Sequence, residues 1–343
     1  MILESKKPMM ELCNDALRVL PELHVVNATK TWVRWMSSLT NNLQYNCGNI
    51  ETQGRMWAPL VFVWPERSWP SRTELQLMFK NQDWDSVWLP ALDYTDYGPR
   101  GVKSYSLQNF STQLDRVQHA WVFFAMMQVT GLTFENLGLV LEFGAGTGQK
   151  ASVLHSLPFF QSLNLVYDMP PMLLMQRHWS RKIGVAVRMF GYDTPNEDAH
   201  QCISRKQIIQ THRLFDIAHI LSRHNACNFV SEGTDAMFVA TYSFTEADLD
   251  TRARIVHITR NFGRLYLMFA KNAWDGIDTL GYIRHWLSTL RHTHRVCVWA
   301  HGARALQMAA ARRDIAETRC RASVGCDDTT FNSNLSVDCR VDD

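Results

Sequence analysis

The segment GLVLEFGAGTG, residues 138 to 148, places a carboxylate, Glu142, two positions ahead of a loop carrying Gly144, Ala145, Gly146 and Gly148. An apolar run ending in closely spaced glycines lets the backbone turn sharply and approach a ligand without a Cβ in the way. The first amides of the following helix then face that ligand. A second carboxylate, Asp168, closes the next apolar run, at the separation where an acid can accept hydrogen bonds from both hydroxyls of a ribose. A third, Glu246, stands in TYSFTE after a further apolar run, where a carboxylate can take a proton from a hydroxyl.

Two ligand classes share a glycine loop and a ribose acid. The dinucleotide fingerprint GxGxxG requires a third glycine at the position Gln149 occupies. Glu142, just before the loop, suits a ligand with a cationic amino-acid end, whose ammonium group it can attract directly or through water. Both observations point to S-adenosylmethionine rather than a dinucleotide. Gln149 and Lys150 can meet the carboxylate end of such a donor, or Lys150 is a solvated first-turn lysine. Tyr192, between Gly191 and Asp193, either covers the adenine or packs at the sheet edge.

The elements that must position these residues change character along the chain. Residues 1 to about 45 carry helical spacing, as in Leu17, Leu20 and Leu23, and residues 46 to 105 are loop-rich, with many Trp and Pro. Residues 107 to 130 read as one helix entering the core. From about 137, strands alternate with helices, the signature of a doubly wound, mostly parallel sheet. The strands are LVLEF (139–143), LNLVYD (163–168), VAVRMF (185–190), AMFVATY (236–242), LYLMFA (265–270) and VCVWA (296–300), with helices over 171–182 and 247–262. Their nearly continuous apolar runs suit strands covered on both faces. Residues 194 to 234 are polar and read as an insertion. The expected division is an N-terminal helical, Trp-rich cap over 1–130, a ligand-binding domain over 131–313 and a poorly ordered tail over 314–343.

The chain has 343 residues, 46% of them hydrophobic and 20% charged, an ordinary globular composition. A net charge of +2 lacks the basic excess of a nucleic-acid binder, so nucleic acid is disfavoured as a partner. The N-terminus does not read as a secretory signal, and no apolar run is long enough for a membrane span. Eight cysteines without a CxxC pair read as reduced thiols of a cytoplasmic protein.

These pieces resemble the sugar O-methyltransferases, a family of class I S-adenosylmethionine-dependent enzymes, over residues 95 to 290. The resemblance rests on GLVLEFGAGTG, on an acid, an apolar residue and Pro at Asp168, Met169 and Pro170, and on Tyr242, Ser243 and Glu246 after the fourth strand. It implies a seven-stranded-type Rossmann-like methyltransferase sheet, with Thr241 and Tyr242 completing the donor site. It also implies methyl transfer to a hydroxyl of a sugar or glycan. Thr147 stands where the family commonly has an aromatic residue, and the 194–234 segment is a further departure. A hydroxyl or nitrogen of another small molecule or polyketide is the alternative acceptor, and a non-catalytic donor-binding protein is the alternative to an enzyme.

Glu246 is the first candidate base, but Ser243-Phe244-Thr245-Glu246 also has the spacing of a helix capping box. His224 is the second candidate, against a solvated loop histidine. Asp275 and Asp278 can hold sugar hydroxyls or serve as ordinary loop residues. No metal site is expected, since His285, His292, His294 and His301 lack a matching cysteine or acid pattern. The aromatics of 57 to 105, among them Trp88 and Tyr97, read first as the core of the cap and second as a sugar-stacking wall.

Overall fold

The computed structural model describes residues 7–22, 30–47, 76, 78–80, 83–92, 104–107, 110–135, 137–193, 207–226, 236–270, 276–301 and 305–314. Helices α1 (Lys7–Val19) and α2 (Lys30–Tyr45) open it, and a π turn (Trp84–Trp88) runs into the short α3 (Leu89–Leu92). The hairpin β1 (Ser104–Leu107) and β2 (Phe110–Gln113) then leads into α4 (Leu114–Thr130). The single helix expected over 107–130 therefore starts seven residues later, at Leu114. Phe110 and Thr112, residue types enriched in strands, lie in β2.

The main body alternates β3 (Leu139–Phe143), α5 (Gln149–Ser156), β4 (Leu163–Tyr167), α6 (Pro170–Lys182), β5 (Val187–Met189), β6 (Ile208–Thr211) and α7 (Leu214–Ala226). It continues through β7 (Ala236–Thr241), α8 (Ser243–Glu246), α9 (Leu249–Thr259), β8 (Arg264–Ala270), α10 (Thr279–Leu290), β9 (His294–His301) and β10 (Ala305–Arg312). The sheet has eight strands in the order β5-β6-β4-β3-β7-β8-β10-β9, all parallel except β10, which runs antiparallel between β8 and β9. The doubly wound, mostly parallel Rossmann-like sheet is thus present, with eight strands instead of seven.

Besides the β1–β2 hairpin, two strands of the main sheet escaped the sequence reading. β6 and the helix α7 lie inside the segment read as an insertion; β6 is only the four residues IIQT, too short an apolar run to stand out. In β10, ALQMAAAR, the apolar residues are mostly alanine, a weak strand former.

β3 and β7 are buried at every position, because helices cover both faces. One face packs Leu141, Phe238 and Leu267 against α7, α9 and α10. The other packs Val140, Val239 and Met268 against α4 and α5, and Val166 and Met189 against α6. Helices α1 and α2 add an outer layer: Leu12, Ala16, Met36 and Leu39 share a buried cluster with Met172, Leu173 and Ala145 of the glycine loop. Asp15 of α1 pairs with Arg177 and Arg181 of α6 at 3.5 and 3.4 Å.

Cys13 and Cys47 form a disulfide with Cα atoms 5.5 Å apart, joining α1 to the end of α2. This corrects the expectation of reduced thiols for that pair: the two helices bring together cysteines 34 residues apart, a proximity that sequence spacing does not reveal. Among the described residues no helix is long and apolar enough to cross a membrane.

Trp84 and Trp88 are buried in the main core, Trp88 packing edge-on to Phe124 and Phe134, so neither forms a sugar-facing wall. Tyr97 lies outside the described residues.

Candidate functional site

The parallel register aligns Phe143 with Tyr167 and with Ala240, so the glycine loop, Asp168 and the turn after β7 emerge at the same end of the sheet. Open α/β sheets bind their ligands at this end. Gly144 adopts φ +67 and its N–H donates to the Tyr167 carbonyl at 2.7 Å. A Cβ there would stand 2.1 Å from the Cβ of Ser243, so the turn after β7 itself requires glycine. Gly146 also has positive φ, +58, but a Cβ on it would meet nothing within 4 Å among the described residues. The space above Gly146 is the opening a ligand can use.

Asp168 turns into this loop. Its Oδ2 accepts from the Gly146 N–H at 3.0 Å and from Gln176 Nε2 at 2.8 Å, and its Oδ1 accepts from the Met169 N–H at 2.8 Å. Burial, reinforced by the charge of Glu142, pushes this carboxyl up to about 7 even though the three donors pull it down. Three bonds use three of roughly four acceptor positions of a carboxylate, leaving one unused. Gln176 also donates to the Gly146 carbonyl at 2.9 Å, so α6 holds both the acid and the loop.

Glu142, 1% exposed, faces Lys150 Nζ at 2.9 Å, in a charge contact without an aligned hydrogen bond. Lys150 in turn donates to Thr241 Oγ1 at 3.0 Å, tying β3, α5 and β7 together. The first-turn lysine is therefore buried, not solvated. Glu142 Oε2 has no hydrogen-bond partner among the described residues. A buried carboxylate oxygen in that state carries a desolvation penalty that a ligand donor would relieve.

Beyond β7, Tyr242 has φ +63, the one non-glycine residue with positive φ among the described residues. Such backbone costs about 1 to 3 kcal/mol and persists only where its surroundings impose it. The kink directs Ser243 Oγ to the Phe143 carbonyl at 2.5 Å. It also sends Glu246 toward the N-terminal helices, where Oε2 accepts from the indole N–H of Trp32 at 2.9 Å. The capping box is absent: Tyr242 occupies the cap position, and neither Ser243 nor Glu246 caps the helix with its side chain. Burial raises the Glu246 carboxyl to about 7 against the opposing pull of Trp32.

The remaining candidates scatter. Tyr192 follows β5, which is the outermost strand because β6 intervenes, so the residue after the strand beside β4 is His212. The two rings lie 6.0 Å apart, and Tyr192 is half-buried. His224 lies on α7, with its side chain outside the described residues, as is all of Asp275. Asp278 caps α10, accepting from the Gly281 N–H at 2.9 Å. Among the described residues no three His, Cys, Asp or Glu side chains group as a metal site.

No protein-family model and no curated protein matches the sequence. The chain is similar to solved methyltransferases. One is magnesium protoporphyrin IX methyltransferase from Synechocystis PCC 6803 with bound S-adenosylmethionine, 13% identical over 70% of this chain and 97% of that one, with a TM-score of 0.37. Another is Aeropyrum pernix fibrillarin in complex with S-adenosylmethionine, 12% identical over 65% and 86%, with a TM-score of 0.36. A third is geranyl diphosphate methyltransferase in complex with S-adenosylmethionine, 12% identical over 58% and 87%, with a TM-score of 0.37.

The sequence reading did not anticipate Trp32 and Gln176. Gln176 lies eight residues after Asp168, on the face of α6 that helical spacing could have indicated. Trp32 is 214 positions from its partner, and no local signal links them.

Proposed function

We propose that the chain is an S-adenosylmethionine-dependent O-methyltransferase acting on a hydroxyl of a sugar or glycan. The observation that carries this reading is the set of three buried acids, Asp168, Glu142 and Glu246, at one end of the adjacent strands β4, β3 and β7. The residues present suit the donor. The unpartnered Oε2 of Glu142 would hold its ammonium group, the unused acceptor position of Asp168 its ribose, and the face of Gly146 that no described residue fills its close approach. When bound, S-adenosylmethionine supplies a methyl carbon activated by a positively charged sulfur.

The work left to the chain is alignment and proton removal. Alignment of reacting atoms can contribute about 7 to 11 kcal/mol. A sugar hydroxyl is a weak acid, and a positioned base adds roughly 100- to 10,000-fold. Glu246, buried and raised to about 7, has the proton affinity such a base needs near neutral pH. Trp32 fixes its carboxylate and covers it from the side of α2. The Tyr242-Ser243-x-x-Glu246 element shared with the sugar O-methyltransferases is what favours a sugar over other hydroxyls.

Calorimetric titration with S-adenosylhomocysteine is expected to give one site, weakened at least tenfold by Asp168→Ala, in keeping with the loss of a charged hydrogen bond. Equal affinity in that variant would overturn the donor site. Incubation with S-adenosylmethionine and a glycan panel, read by mass spectrometry, is expected to show the gain of one methyl group. Transfer only to polyketide or amine acceptors would overturn the sugar assignment and leave the donor site standing.

A further inference from the structure

A second concave site lies at the opposite end of the sheet. Strands β8 and β9 begin there and the antiparallel β10 finishes there, so three segments converge. Arg260 and Asn261 just after α9, His292 and Thr293 before β9, and Arg312, Arg313 and Asp314 at the end of β10 line an open cleft of about 310 Å³. The cavity shares no residue with the glycine-loop site.

We propose that this cavity binds a small phosphate-type dianion, a phosphate monoester or free phosphate. Three arginines against one aspartate leave the lining at +2 with His292 neutral. A phosphate group carries about −1.5 to −2 near pH 7 and balances that charge. Two of the guanidinium groups are already oriented. Arg313 donates Nε and Nη2 to the Arg291 carbonyl at 3.2 and 3.1 Å, and Arg312 is held by both oxygens of Asp314 at 3.0 and 2.5 Å. Fixed planar forks suit phosphate oxygens and lose little entropy on binding. Arg260 is exposed, with no carboxylate partner among the described residues, and is the cation free to close on a ligand.

The residue after Thr293 is anchored in the core. His294 is buried and bonds the Phe262 carbonyl at 2.9 Å through Nε2 and Thr293 Oγ1 at 2.8 Å through Nδ1. The small volume of the cleft, about 310 Å³, favours a single small anion. A nucleic-acid backbone would ask for an extended basic stripe, and the chain's net charge of +2 does not suggest one.

Calorimetric titration of the full chain with inorganic phosphate, at constant ionic strength, tests this. Saturable one-to-one binding is expected, weakened about tenfold or more by Arg260→Gln and by Arg313→Gln. Asp314→Asn should tighten it, because it removes the opposing charge and releases Arg312. S-adenosylhomocysteine affinity should stay the same in all three variants, and circular dichroism should show them folded. Phosphate affinity unaltered by Arg260→Gln and Arg313→Gln would overturn the site. So would binding confined to oligonucleotides, with no saturation by phosphate or a simple phosphate monoester.

Discussion

The Trp32 indole N–H donates to Glu246 Oε2 at 2.9 Å, connecting the N-terminal helices to the turn after β7. The bond holds down a carboxyl that burial otherwise raises. Removing the donor with Trp32→Phe should therefore raise the Glu246 pKa above about 7 and move the acidic limb of the pH–rate profile to higher pH. Activity lost near pH 7 should return in alkaline buffer. Glu246→Gln should instead lower kcat roughly 100- to 10,000-fold where the wild-type carboxylate is ionised and abolish the acidic limb, while S-adenosylhomocysteine still binds. A Trp32→Phe profile that falls in height without moving along the pH axis would show that the indole does not tune this acid.

The same burial has a consequence for stability. The Glu246 carboxyl rises from 4.5 to about 7 on folding, so the folded chain favours its neutral form. The stabilisation is complete below the unfolded value and is lost as pH climbs through the folded one. At about 1.4 kcal/mol per unit this amounts to roughly 3 kcal/mol between pH 4 and 8. Asp168, raised from 3.8 to about 7, adds a trend of the same sign. Urea unfolding midpoints should decline from pH 5 to pH 8, and Glu246→Gln should flatten part of that decline. A midpoint difference between wild type and Glu246→Gln that stays constant with pH would contradict the raised carboxyl.

Gly144 and Gly146 separate folding from binding within one loop. Gly144→Ala puts a Cβ 2.1 Å from the Ser243 Cβ, and backbone on both sides must shift. Combined with φ +67, this should cost several kcal/mol and displace Tyr242 and Glu246. Gly146→Ala meets no atom of the described residues within 4 Å and should cost only about 1 to 2 kcal/mol from its positive φ. Its methyl group nevertheless projects into the space the donor needs, so S-adenosylhomocysteine affinity should fall at least tenfold. Thermal melts and calorimetry on the two variants should thus rank them in opposite orders.

How legible these features were follows from their range. The glycine loop, Asp168 and the strands β3, β4, β7 and β8 are local patterns: long apolar runs with punctuation, placed to within a residue or so. β6 and β10 were lost because four residues, or a run of alanines, give weak period and propensity signals. That loss moved Tyr192 out by one strand and hid His212. Trp32, the burial of Lys150 and the Cys13–Cys47 disulfide depend on contacts between distant segments, which one sequence does not encode locally. The capping-box spacing in Ser243–Glu246 was real but overridden: Ser243 Oγ is drawn to the Phe143 carbonyl and Glu246 to Trp32.

Glu142 and Lys150 make a buried pair at 2.9 Å whose members cannot be removed independently. Lys150→Met would leave a carboxylate 1% exposed without its counter-charge, a change that typically costs about 3 to 5 kcal/mol. Glu142→Gln strands the lysine in the same way, partly relieved by Thr241 Oγ1 at 3.0 Å. The double variant buries no net charge and should recover most of the loss, so a urea-unfolding cycle should give a coupling at or above the roughly 3 kcal/mol upper end usual for contacting pairs. Donor affinity should respond differently. Lys150→Met keeps the acid and should retain S-adenosylhomocysteine binding once the protein is folded, whereas Glu142→Gln and the double variant lose the proposed partner of the ammonium group and should bind at least tenfold more weakly. Recovery of both stability and affinity in the double variant would mean that Glu142 serves only to neutralise Lys150.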